Sequence, residues 1–213
     1  MAFDVRPLRA KIGLARPDLE RTAQLRFCVD EAVRDVCRRT FLARYTHTAI
    51  PLSSGNPFVS YDIGAANNIL KVHRLDMLNV ETNKYEPLRP ESYMVMAGHP
   101  DENGEGTPWG WSQQGDTVRV YPIPIENRTL RLEASYVPTD EPDSAPLPEL
   151  AVMAVEARAE ALALAIPGAF QDKVEARSKE MYYRRCIGAL KDVGDRGEVG
   201  EVKVYAPRIP GVR

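Results

Sequence analysis

Cysteine is scarce in these 213 residues: Cys28, Cys37 and Cys186 form no C-x-x-C pair and leave an odd count. That excludes a zinc knuckle and a disulfide framework, and leaves small, half-buried apolar residues of a reducing compartment. The three histidines, His47, His73 and His99, lie in unrelated segments without metal-ligand spacing. No apolar run approaches the ~20 residues that span a bilayer. The opening MAFDVRPLRAKIGL lacks the continuous apolar core of a secretory leader, so the chain reads as soluble, made in a cytoplasm and without a membrane partner. Excess charge is also missing. With 28 Lys and Arg against 30 Asp and Glu, the formal net charge is −2, which argues against a protein whose main affinity is for a phosphate backbone.

Catalytic signatures are absent too. The H-E-x-x-H, G-x-S-x-G and cysteine-protease patterns do not occur, and GEGTPWG misses both the dinucleotide fingerprint and the phosphate loop. The acids Asp101, Glu102 and Glu105 read as a solvated loop tip. The arginines of RLRFCVDEAVRDVCRR are interleaved with carboxylates and lack aromatic stacking partners, which describes a solvated helix face better than a nucleic-acid surface. No catalytic residue, cofactor or metal is expected.

What is present is organised by charge and by period. Hydrophobic residues make up 44% of the chain, enough for a real interior. Residues 1–44 carry 10 basic and 6 acidic side chains, residues 45–146 carry 7 and 14, and residues 147–213 carry 11 and 10. Arg16-Pro17-Asp18 is expected to open one long amphipathic helix of about six turns, with Leu25, Val29, Ala32 and Val36 on its apolar face. From about Thr46 to Val137 the pattern changes to short apolar runs broken by Gly, Pro and Asn, which is the grammar of a mostly antiparallel sheet or small sandwich. Within it, VRVYPIPIENRTLRLEASYV reads as a hairpin, with Val118 and Val120 answering Leu130, Leu132 and Ala134. Pro122 and Pro124 lack ladder donors, so the first strand must end or lie at an edge there. Gly98 to Trp111 reads as an exposed loop, with Trp109 and Trp111 packing back on the sheet or serving as partner-binding anchors.

After an acidic, proline-rich spacer, LPELAVMAVEARAEALALAIPG reads as a helix carrying seven alanines from Ala151 to Ala165. Ala154, Ala157 and Ala161 offer a smooth surface for close helix approach and are candidates for subunit packing. A second helix is expected from about Ala169 to Asp192. The remaining Val193–Arg213 alternates like a strand but has no hairpin partner in sequence. Its apolar Val202, Val204, Tyr205 and Ile209 are expected to anchor a docking tail on a neighbouring subunit or another protein.

The fold class expected is therefore α+β: a helical core of one long N-terminal helix and two C-terminal helices, an inserted antiparallel β domain, and an extended C-terminal tail. The boundaries are 1–45 for the N-terminal segment, 46–146 for the β insertion, 147–192 for the C-terminal helices and 193–213 for the tail.

Leu88-Arg-Pro-Glu-Ser-Tyr93, a Gly-rich loop ending in Trp109 and Trp111, V-R-V-Y-P-I-P, L-R-L-E-A-S-Y-V-P, and an acidic spacer before L-P-E-L follow one another in a distinctive order. Over about Phe41 to Gly168 this order resembles the head-to-tail adaptor (connector) proteins of tailed bacteriophages. The resemblance implies a non-enzymatic virion protein, present in the host cytoplasm during assembly, whose helices pack into a twelve-membered ring. Its partners would be further copies of itself, a portal protein and a tail or nozzle protein. DNA would pass through the lumen without specific binding, which suits near-neutral, mixed-sign helices. The alternative is a small cytoplasmic enzyme or binding module with a β insertion.

Overall fold

The computed structural model describes residues 3–19, 23–60, 67–99, 102–115, 117–138, 144–145 and 147–196. Along the chain, β1 (Phe3–Asp4), α1 (Arg6–Ala15) and α2 (Ala23–Thr40) lead into β2 (Arg44–Leu52), β3 (Phe58–Val59), β4 (Asn67–Asn79), β5 (Lys84–Pro87) and β6 (Arg89–Pro90). The single turn α3 (Tyr93–Met96) precedes β7 (Glu105–Gly106), β8 (Gly110–Gln114), β9 (Thr117–Tyr121), β10 (Ile123–Pro124) and β11 (Arg128–Pro138). β12 (Ser144–Ala145) and a 3-10 turn at Glu149–Ala151 open α4 (Val152–Ala165) and α5 (Lys173–Arg196). The chain divides into two compact units. One comprises Met1–Leu42 with Glu141–Arg213, the other Ala43–Asp140.

In the first unit, the expected helical core with one long N-terminal helix is corrected. Two helices stand there. α1 begins before the predicted start, and Pro17, which has no N–H and disfavours helical geometry at the residue before it, leaves Arg16 at φ −132° and ψ 71°. The residues expected to cap a helix instead form a turn, in which the Leu19 N–H donates to the Arg16 carbonyl at 2.9 Å. α2 ends at Thr40, and Phe41 takes the left-handed conformation that stops a helix, with φ 54°. α4 packs against both α2 and α5. It buries Ala154, Val155, Ala157, Ala159, Ala161, Ala163 and Leu164, so its alanines permit approach from more than one side. The Asp172 carboxylate accepts the N–H groups of Val174 and Glu175, each at 2.9 Å, and so fixes the start of α5 four residues later than expected. α5 also runs on to Arg196, which moves residues 193–196 from the expected tail into the helix. β1 and β12 pair antiparallel.

The second unit holds two four-stranded sheets, ordered β2-β11-β4-β5 and β3-β9-β8-β6, with β10 and β7 as a separate parallel pair. The insertion is therefore not purely antiparallel, because β6 also pairs parallel with β8. The expected hairpin is overturned as well. β9 pairs with β8 and β3, whereas β11 pairs with β2 and β4. Pro122 ends β9 at Tyr121, as its missing donor requires, and the chain crosses to the other sheet before β11 begins. The alternation of the two strands was real but had a different cause: Val118 and Val120 meet Leu130, Leu132 and Ala134 in one sandwich core, shared with Ile50, Val72, Leu75 and Trp111.

Candidate functional site

The first unit holds a network that ties three of its helices together. Asp35 of α2 accepts a hydrogen bond from Arg39 Nε at 2.8 Å and one from the Tyr183 hydroxyl of α5 at 2.9 Å. Arg158 of α4 forms an ion pair with Asp35 at 3.0 Å, off the line of a hydrogen bond, and donates from Nη1 to Glu180 of α5. The Arg39 and Arg158 guanidinium groups lie 5.9 and 5.4 Å from the centroid of the buried Tyr183 ring. Burial opposes ionisation of Asp35, but the hydrogen bonds from Arg39 and Tyr183 and the two arginine charges outweigh it and hold the carboxyl below its ordinary value. The same burial, with the Asp35 charge beside it, pushes the Tyr183 phenol well up. A tyrosine kept neutral and a carboxylate kept charged form a structural tie rather than an acid/base pair.

Beside this network, α4 and α5 enclose an open groove of about 480 Å³. Its floor is apolar, formed by Ala161, Leu162, Ala165 and Ala176, and Arg158, Lys173, Arg177, Glu180 and Arg184 line its sides. Arg158 and Arg184 both pair with Glu180. Lys173 and Arg177 have no acidic partner among the described residues. On the outer surface of α5, Val174 is 81% exposed and Met181 60%. A smooth apolar floor with two uncommitted cations suits an acidic, partly apolar protein segment.

A second fixed point closes the C-terminus of α4. The Arg16 side chain is fully buried, donates from Nη1 to the carbonyls of Ala163 and Ile166, and grips Asp18 through Nε and Nη2 at 2.8 and 2.7 Å. A cation there complements the negative end of the α4 dipole and gives the Ala163 carbonyl, which already accepts the Ile166 N–H at 3.2 Å, a second donor. Gly168 permits this closeness: a Cβ at that position would lie 2.6 Å from Asp18 Oδ2 and 3.2 Å from Arg16 Nη2.

The residues singled out by sequence are dispersed. Ala154, Ala157 and Ala161 are all buried within the chain's own helical packing. Trp111 is buried in the β core and its indole N–H donates to the Leu88 carbonyl at 3.2 Å, whereas Trp109 is 38% exposed and packs edge-on to His99. Val202, Val204, Tyr205 and Ile209 lie outside the described residues. Cys28, Cys37 and Cys186 are buried free thiols. Burial raises all three, Cys28 to about 11 and Cys37 to about 12, which disfavours the thiolate a nucleophile needs. Among the described residues no group of three or more His, Cys, Asp or Glu could hold a metal ion, and no helix is long and apolar enough to cross a membrane. The groove cations were missed by sequence reading, although Lys173, Arg177, Glu180 and Arg184 are spaced four, three and four apart, the signature of one helix face. No protein-family model matches the chain, and no curated protein matches it in sequence.

Proposed function

We propose that this chain is a non-enzymatic virion structural protein, a head-to-tail adaptor that forms a twelve-membered ring between a portal and a tail or nozzle protein and lets DNA pass without gripping it. The observation that carries the reading is the apolar surface left uncovered on the helical unit. Leu14, Phe27, Met153, Phe170, Val174 and Met181 are exposed large hydrophobic residues spread over α1, α2, α4, the α4–α5 link and α5. Single exposed hydrophobics are ordinary, but six among the described residues of the helical unit, with seven more on the β unit, suit a subunit that buries some of them against neighbours. The ordered motifs from Leu88 to Leu150 supply the resemblance to adaptors; of the alternative, a small cytoplasmic enzyme or binding module with a β insertion, the raised cysteine thiols disfavour only a thiol-dependent form. Particle mass of the purified protein across a concentration series, alone and mixed with a candidate portal ring, tests the reading. A discrete mass near twelve subunits in either sample is expected. A monomer under both conditions overturns it.

A further inference from the structure

Two surface features have no role inside the subunit. One is the α4–α5 groove, where Lys173 and Arg177 have no acidic partner among the described residues while its other two cations share Glu180. The other is the turn between β4 and β5. There the Asn79 side-chain oxygen accepts the N–H groups of Glu81 and Thr82 at 2.9 and 3.2 Å, and its Nδ2 donates to Glu86 at 2.7 Å. Asn83 adopts φ 52°, the left-handed conformation that asparagine tolerates. The turn is thus pinned in one shape by Asn79 and Asn83. Between them stand Val80, 70% exposed, and Glu81, whose carboxylate has no cationic partner among the described residues. A β-branched apolar residue contributes nothing to such a turn, which favours Gly, Asn, Asp and Ser.

We infer that the β4–β5 turn of one copy docks in the α4–α5 groove of a second copy, Glu81 pairing with Lys173 and Arg177 and Val80 resting on the alanine floor beside them. The inference rests on the self-assembly reading and deepens it by naming the contact. Preorganisation favours it: the turn is already fixed and the groove already open, so little ordering is needed on binding. Lys84 follows at the start of β5, so the pairing is local and sets register more than overall attraction. Because the turn and the groove are different surfaces, the contact is heterologous and repeats from copy to copy, as a ring requires.

The test uses the full chain with E81K, K173E, R177E and the double variant E81K/R177E, followed by particle mass and melting temperature. All three positions are exposed and unpaired among the described residues, so melting should stay at the wild-type value. Each single reversal is expected to raise the protein concentration needed for assembly by about tenfold or more, and the double reversal to recover most of that loss. Single variants that assemble like the wild type overturn this contact while the ring reading stands, as does a double variant no better than its parents. Reversals that spare self-association but abolish binding to a portal ring assign the groove to that partner and overturn the inference too. A wild type that is monomeric alone and with the portal ring removes both.

Discussion

Arg16 shows how far one side chain can act. It sits in a turn whose sequence, Arg-Pro-Asp, resembles a helix start, yet it reaches across 147 residues to the carbonyl of Ala163. Replacing it with Met keeps much of the stem's packing but takes the guanidinium from the Ile166 carbonyl and the Asp18 carboxylate, and leaves the Ala163 carbonyl with the Ile166 N–H alone. Removing one partner of a buried pair costs about 3 to 5 kcal/mol, and Asp18 is only part-buried, so Arg16→Met should lose about 3 kcal/mol. Urea denaturation at neutral pH measures it. A loss under about 1 kcal/mol, the median for surface pairs, would show that water replaces the guanidinium without penalty. The Asp35–Tyr183–Arg158 network is similar in kind: each member is unremarkable in sequence, and together they tie α2, α4 and α5.

At the scale of elements, α4 is the clearest case of residue type dictating packing. Alanine is the best helix former and projects only a methyl group, so α4 can be approached closely by both α2 and α5. Ala157 and Ala161 are nearly fully buried, so leucine at either must displace its neighbours, at Ala161 partly toward the groove that it lines. Ala157→Leu and Ala161→Leu should each destabilise the protein by about 1 to 3 kcal/mol, read from the urea midpoint. Wild-type midpoints in both would mean that the groove floor yields easily. The β elements show the converse. Val118, Val120, Leu130 and Leu132 announce strands through their alternation, but alternation reports which side is buried and says nothing of which strand pairs with which.

For the whole molecule, the proposed assembly would cover the exposed apolar residues. The tail gives a prediction at this scale, because its apolar Val202, Val204, Tyr205 and Ile209 have no evident hairpin partner in sequence. Deleting Gly200–Arg213 should leave the subunit's melting temperature unchanged and weaken its attachment to ring or portal, as followed by co-sedimentation with a portal ring. Equal attachment by the truncated chain would exclude the tail from docking. This deletion is independent of the groove reversals, so the two contacts can be separated experimentally.

The sequence by itself determined the kinds of element and their buried residues: the apolar face of α2 at Leu25, Val29, Ala32 and Val36, the alanine helix, the strand ends at proline, and the absence of local catalytic spacing. These follow from steric and hydrophobic periodicities that act over a few residues. Tertiary structure alone decided that the N-terminal helix is two helices, that β9 and β11 lie in different sheets, that Trp111 is core while Trp109 is half exposed, and that Lys173 and Arg177 line a groove with no acidic partner among the described residues. The reason is range. A proline's missing N–H or a β-branched side chain acts on its immediate neighbours, whereas strand partnership, the burial of a guanidinium and the pairing of a cation depend on groups up to 150 residues away, whose arrival is fixed only when the core closes.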